Sequence, residues 1–232
     1  MNEFENQVVL ITGAKGALGT AVTQAFLAAG AMVAGSSKTI QDSDFSNPLF
    51  AAIPADLTVA ESAGYLVNGA VRRFGKIDAL VHVMGGYAGG MSIPETTDET
   101  WDLMMNLNLR AAFNILRAVI PQMRQAGRGR IVAISSRQAV EPAAYLSAYN
   151  ASKAALVALI RTAALENKDD GITANTILPG AMNTEANRKA MPDADPSKWV
   201  QTEHVARIVT FLASDAAAAI TGAAIPVYGQ SI

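Results

Sequence analysis

The stretch QVVLITGAKGALG at residues 7–19 decides the fold. Residues 7–12 are a short apolar run rich in β-branched side chains, which reads as a buried strand. Residues 16–29 then place Leu18, Val22, Phe26 and Leu27 at helical spacing. Gly13, Gly16 and Gly19 form a glycine-rich turn between them. A strand that passes through such a turn into a helix is the opening of a βαβ unit.

The same alternation continues outward. Apolar runs at 31–35, 51–55, 79–84, 130–135, 172–178 and 224–228 read as six further strands. Helical patterns cover 61–74, 98–126, 149–167 and 203–213. Strands alternating with helices predict an α/β fold with a doubly wound, parallel, seven-stranded sheet. No linker or repeat divides the chain, so residues 1–232 read as a single domain. Residues 38–54 carry no helical stripe, and the second crossover is expected to be a loop or one short helix. Residues 183–201 are polar and contain Pro192 and Pro196. A long polar loop after a parallel strand reads as a substrate loop.

Composition narrows the chemistry. There is no cysteine, which excludes disulfides, thiolate zinc sites and a cysteine nucleophile. Two histidines, His82 and His204, offer little for a metal site, and none is expected. The net charge of −2 and the lack of a long basic run argue against a nucleic-acid partner. Mean hydropathy is high at +0.22. Yet no apolar run reaches the ~20 residues of a membrane-spanning helix. The start, MNEFEN, lacks the basic region of a signal peptide. The expected location is the cytoplasm, and the aliphatic content suits parallel-sheet core.

Between strand and helix, the turn Thr12–Gly19 (TGAKGALG) suits a dinucleotide pyrophosphate. Glycine lets the backbone approach, and free N–H groups at a helix start hold the phosphates. The second strand ends in Gly35-Ser36-Ser37-Lys38, with no carboxylate for a free ribose 2′-hydroxyl. Hydroxyls and an ammonium, with Lys15 within reach, favour a 2′-phosphate and so NADP, with NAD as the alternative.

Tyr149 and Lys153 stand four apart at the start of a helix, on one face. An ammonium near a phenol is expected to lower the phenol's pKa from ~10, giving a general acid/base for carbonyl–alcohol exchange. Ser135 and Ser136 end the preceding strand, thirteen residues before Tyr149.

With these features the chain resembles the short-chain dehydrogenase/reductase family over essentially its whole length. The resemblance rests on the glycine turn, Asp56, the end of the fourth strand, Asn108, Ser136, Tyr149 with Lys153, and Pro179-Gly180. It implies that Tyr149 exchanges the substrate proton and that Ser136 binds the substrate oxygen. Lys153 would lower the Tyr149 pKa and hold the nicotinamide ribose, and Asn108 would complete a proton path. Gly13, Lys15, Gly16, Ala17, Leu18 and Gly19 would hold the pyrophosphate; Ser36, Ser37 and Lys38 would take the adenosine phosphate. Asp56 and Leu57 would lie against the adenine, and Gly85, Pro179, Gly180 and Thr184 near the nicotinamide. Tyr87 and Met182 would join Ser136 and Tyr149 around a small-molecule carbonyl or alcohol substrate. The family also implies a homodimer or homotetramer, built through the helices of Asn108 and Tyr149 and the apolar segment 225–232.

Two departures stand out. Ala17 occupies the turn's usual middle glycine, and His82-Val83-Met84-Gly85 replaces the family's Asn-Asn-Ala-Gly. His82 reads as a structural replacement. Segments 16–19, 85–90 and 187–195 are similar to dihydropteridine reductases, which typically lack the serine present here as Ser136 and carry an acid after the second strand. Three functions follow for comparison: an NADP-dependent ketone/alcohol oxidoreductase, reduction of a quinonoid dihydropterin, and a non-catalytic nucleotide-binding regulator. A complete proton-handling set at Asn108, Ser136, Tyr149 and Lys153 speaks against the last.

Overall fold

The computed structural model describes residues 3–230. Seven strands form one parallel sheet: β1 (Val8–Thr12), β2 (Met32–Ser36), β3 (Phe50–Ala52), β4 (Ala79–His82), β5 (Gly129–Ile134), β6 (Ile172–Pro179) and β7 (Ala224–Val227). Their order is β3-β2-β1-β4-β5-β6-β7, and every neighbouring pair is parallel. The helices are α1 (Ala17–Ala28), α2 (Ala60–Phe74), α3 (Asp98–Met105), α4 (Ala111–Ala126), α5 (Ser147–Glu166), α6 (Glu185–Ala190) and α7 (Thr202–Ala213).

Strand periodicity sorts the core into two faces. Val9, Ile11, Val33, Val81 and Val132 point to one side, where Leu18, Val22 and Phe26 of α1 meet Val205 and Val209 of α7. Leu10, Ala34, Leu80, Ile131 and Ala174 point to the other, against α2, α4 and α5. Both faces are covered, so the central strands are buried on both sides, and β1 is buried at all five positions. Each fully buried Leu, Ile or Val contributes about 1.5–3 kcal/mol. No helix among the described residues is long and apolar enough to cross a membrane.

Several boundaries differ from the sequence reading. β3 lies at Phe50–Ala52, slightly earlier than expected, because only three residues pair with β2. The second crossover has a single short turn of helix at Asp42–Asp44. The stretch 98–126 is continuous but carries a π-helical segment, Asn106–Arg110, between α3 and α4. Such segments are rare and often sit at functional sites; this one holds Asn108. Residues 183–201 are not wholly irregular, since α6 and a 3-10 turn at Pro196–Lys198 lie within them. Of the apolar segment 225–232, residues 231 and 232 lie outside the described residues.

The strand order reverses at β1, whose neighbours are β2 and β4. A crevice opens at the carboxyl ends of such strands, and ligands of α/β sheets bind there. The register pairs Thr12 with His82 at this point.

Candidate active site

The turn after β1 is built as an anion cradle. Gly13 has φ +68°, and a Cβ there would stand 2.7 Å from the Met84 nitrogen. A Cβ on Gly19 would stand 2.0 Å from the Gly13 carbonyl oxygen. Neither position admits a side chain, so the helix start packs directly on the turn. Gly16 caps α1 without a side-chain hydrogen bond. The first amide to pair within the helix is Thr20, which donates to the Gly16 oxygen at 2.7 Å. The N–H groups of Ala17, Leu18 and Gly19 are therefore left as helix-start donors. Ala17 at the middle position leaves this arrangement intact.

At the tip of β2 the Ser36 and Ser37 hydroxyls are buried and have no hydrogen-bond partner among the described residues. Lys15 reaches toward the same loop, donating to the Thr39 oxygen at 3.2 Å and pairing with Asp44 at 2.9 Å. Lys38 pairs with Asp56 at 2.8 Å. Two orphaned hydroxyls and two ammonium groups fit a phosphate monoester on the adenosine ribose. Both lysines hold Asp44 and Asp56 below the usual carboxylate range. Leu57 is buried in the core, and its carbonyl accepts from Asn114 Nδ2 at 2.9 Å, so only its backbone is placed for an adenine.

The candidate catalytic residues gather at the tips of β4 and β5. Asn108 is fully buried and clasps the segment after β4: Gly86 N donates to its Oδ1 at 2.8 Å, and its Nδ2 donates to the Gly86 oxygen at 3.1 Å. The same Nδ2 donates to Ser152 Oγ at 3.0 Å. A Cβ on Gly85 would fall 2.8 Å from Asn108 Oδ1 and 3.0 Å from Lys153 Nζ, so both groups converge over that glycine. Lys153 is buried, and its ammonium donates to the Ile134 oxygen at 3.1 Å. Burial pulls its pKa down to about 8.

The two serines at the end of β5 divide their roles. Ser135 Oγ donates to the Lys153 carbonyl at 2.9 Å and ties the strand to α5. Ser136 turns the other way and hydrogen-bonds the Gln138 side chain. Tyr149 sits in the first turn of α5, with Lys153 Nζ 6.0 Å from its ring centroid. The Tyr87 ring meets it edge-on at 5.0 Å. The expected lowering of the Tyr149 pKa is corrected here. Burial pushes the phenol up, and hydrogen bonding to Ser136 opposes that only in part. Desolvation is the largest influence on the phenol and favours its protonated form.

His82 is buried beneath this centre, with Nδ1 2.8 Å from Thr12 Oγ1. It pins the tips of β1 and β4 together, in keeping with a structural replacement. Pro179 ends β6, and Gly180 N donates to the Val227 oxygen at 3.0 Å. Met182 packs against the core face of α7, and Thr184 accepts from Asn187 N at 3.2 Å as the cap of α6. These two expected ligand contacts therefore have structural partners of their own. Arg188 is held by Asn183, and Lys189 pairs with Glu185 at 2.6 Å. No cluster among the described residues is suited to a metal ion. The sequence reading missed Gln138, Ser152 and Asp44. Gln138, two residues from Ser136, and Ser152, beside Lys153, each gave a signal by position.

The site's ordered parts have counterparts in known proteins. A family model described as short chain dehydrogenase matches residues 7–195. The chain is 34% identical to the short-chain dehydrogenase/reductase olcF of Penicillium canescens, covering 98% of this chain and 97% of that one. A short-chain type dehydrogenase/reductase from Mycobacterium ulcerans superimposes with a TM-score of 0.93 at 26% identity, over 99% of this chain and 90% of that one. The structure of ElxO with NADP bound gives a TM-score of 0.90 at 26% identity, over 97% of this chain and 98% of that one. With its seven-stranded sheet, glycine turn and match over 7–195, the chain belongs to the short-chain dehydrogenase/reductase family and is an NAD(P)-dependent oxidoreductase.

Proposed function

We propose that this enzyme uses NADP(H) to interconvert a ketone and a secondary alcohol, with Tyr149 as general acid/base. The observation that carries the reading is the convergence of Ser136, Tyr149, Lys153 and Asn108 at one crevice beside the glycine turn. When bound, the nicotinamide supplies or accepts the hydride. Ser136 donates a hydrogen bond to the substrate oxygen and holds it beside the phenol. In the reducing direction Tyr149 gives its proton to that oxygen as the alkoxide forms; in the other it takes the proton back. The Lys153 ammonium holds the nicotinamide ribose and favours transient phenolate charge. Asn108 fixes the Gly85–Gly86 backbone beside them. Tyr87 lies against the phenol and excludes water from one side.

The preference for NADP is supported by the unpartnered Ser36 and Ser37 hydroxyls and by Lys15 and Lys38 near them. ElxO, a structural neighbour, holds NADP. The single-domain reading, a cytoplasmic location and a homodimer or homotetramer belong to the same proposal. Assembly through α4 and α5 is favoured by exposed Phe113 and Leu165. NADPH and NADH oxidation over a panel of ketones tests the assignment, with Tyr149→Phe as the control. Turnover faster with NADPH and abolished in Tyr149→Phe, with cofactor still bound, is expected. Activity retained in Tyr149→Phe overturns it; turnover of a quinonoid dihydropterin but of no ketone moves the site to the pterin reading.

A further inference from the structure

From the Ser136–Gln138 contact we infer that the site prefers ketones carrying a hydroxyl on the carbon next to the carbonyl, with Gln138 as the residue that reads that hydroxyl. The inference rests on the proposed ketone chemistry and deepens it.

Ser136 Oγ accepts the Gln138 backbone N–H at 3.4 Å, and its own hydrogen is donated to Gln138 Oε1. The hydroxyl that must bind the substrate oxygen is thus already committed to an amide oxygen. A carbonyl seated between Ser136 and Tyr149 takes that hydrogen over. Gln138 Oε1 then loses its donor inside the crevice, where Gln138 is only partly exposed. An acceptor that loses its donor where water reaches it only in part costs free energy, so the incoming molecule is selected for what it offers in exchange. Both acceptors draw on one serine hydrogen, so the substrate oxygen and Oε1 stand about 4–5 Å apart at ordinary hydrogen-bond lengths. A hydroxyl on the neighbouring carbon falls within that gap and donates to Oε1. A methyl of the same size does not, and leaves the acceptor stranded. Sites that offer a buried acceptor discriminate by the presence of the matching donor rather than by shape.

The balance of the reaction is that of the parent chemistry. Hydride adds to the carbonyl carbon, the carbon–oxygen π bond opens, and Tyr149 protonates the oxygen. The product is a vicinal diol, and the neighbouring hydroxyl is unchanged.

The test compares phenacyl alcohol with propiophenone, in which a methyl replaces the hydroxyl, as NADPH-dependent substrates. The probe is the ratio of their kcat/KM values in the intact enzyme, in Gln138→Met and in Gln138→Glu. The wild-type ratio favours phenacyl alcohol, and Gln138→Met lowers that preference about tenfold. Gln138→Glu keeps an acceptor oxygen and retains most of the preference. Because both ketones are read in the same protein, the ratio cancels any general loss of turnover in Gln138→Met, and Gln138→Glu provides a second, more conservative variant. A ratio unchanged in Gln138→Met, with both ketones still reduced, overturns the role of Gln138 alone. Reduction of neither ketone by the wild type, while a quinonoid dihydropterin is turned over, overturns it together with the ketone reading.

Discussion

His82 makes the fold sensitive to mild acid. Its ring is buried with Nδ1 on Thr12, and Nε2 has no partner among the described residues. Burial chiefly, and the nearby Lys153 charge secondarily, pull its pKa from 6.5 down to about 3. The folded protein therefore keeps this ring neutral at pH values where the unfolded chain protonates it. Between about 6.5 and 3 the unfolded state binds one proton more, so stability rises with pH there and falls as acid is added. The contribution is fully present above about pH 6.5. At about pH 5 the loss is some 1.5 pH units at about 1.4 kcal/mol each, or ~2 kcal/mol.

Spread over a chain of this size, that corresponds to a fall in Tm of roughly 4–8 °C. The carboxylates held low by their partners, Asp44 and Asp56, fall below the ordinary aspartate value of 3.8 and so act at lower pH. The window from about pH 7 to about pH 5 therefore isolates the histidine. Thermal denaturation followed by circular dichroism across that window is the assay, with His82→Asn beside the wild type. The wild type should lose Tm steadily, and His82→Asn should lose much less whatever its absolute stability. A wild-type Tm that stays flat, or the same slope in both proteins, would refute the reasoning.

Gly19→Ala should cost about 1–3 kcal/mol by overpacking, because its Cβ would meet the Gly13 backbone at 2.0 Å. It should also weaken NADPH binding by at least tenfold, as read by fluorescence titration; unchanged affinity would remove the cradle from that turn. Gly64→Ala is the opposite case: its Cβ meets nothing within 4 Å on α2, so a gain of about 0.4–1 kcal/mol is expected in chemical denaturation. The pH profile of kcat/KM should fall on the alkaline side near 8, as Lys153 loses its charge while Tyr149 remains protonated. A profile flat well beyond that value would mean that the lysine charge is not required.

Much of this architecture was legible because parallel strands covered on both faces are rich in apolar residues, as residues 8–11 of β1 and 131–134 of β5 are. β3 was harder to bound, since three paired residues leave almost no pattern. The π-helical segment was not legible at all, since Asn106–Arg110 has the composition of any helix. The roles of Ser135 and Ser136 could be ordered by spacing, but only the fold shows that Ser135 is spent on the Lys153 carbonyl. The direction of the Tyr149 shift was misread for a definite reason. Spacing along a helix reports that an ammonium is near, whereas desolvation depends on Tyr87 and the sheet, which arrive from distant parts of the chain.

The same limit governs the cofactor. The sequence presents Lys15 and Lys38 as unpaired cations, and the fold gives each a carboxylate, Asp44 and Asp56. That pairing does not weigh against a 2′-phosphate. Exposed ion pairs contribute little to stability, so a ligand carrying more than one negative charge can draw both lysines away at small cost. What exposed pairs cannot do is satisfy the Ser36 and Ser37 hydroxyls, which are buried and have no hydrogen-bond partner among the described residues. The selectivity for NADP would then reside in the two hydroxyls at least as much as in the two charges. In the proposed NADP reading, the lysines would set how strongly the phosphate is attracted, and the serines whether it is recognised.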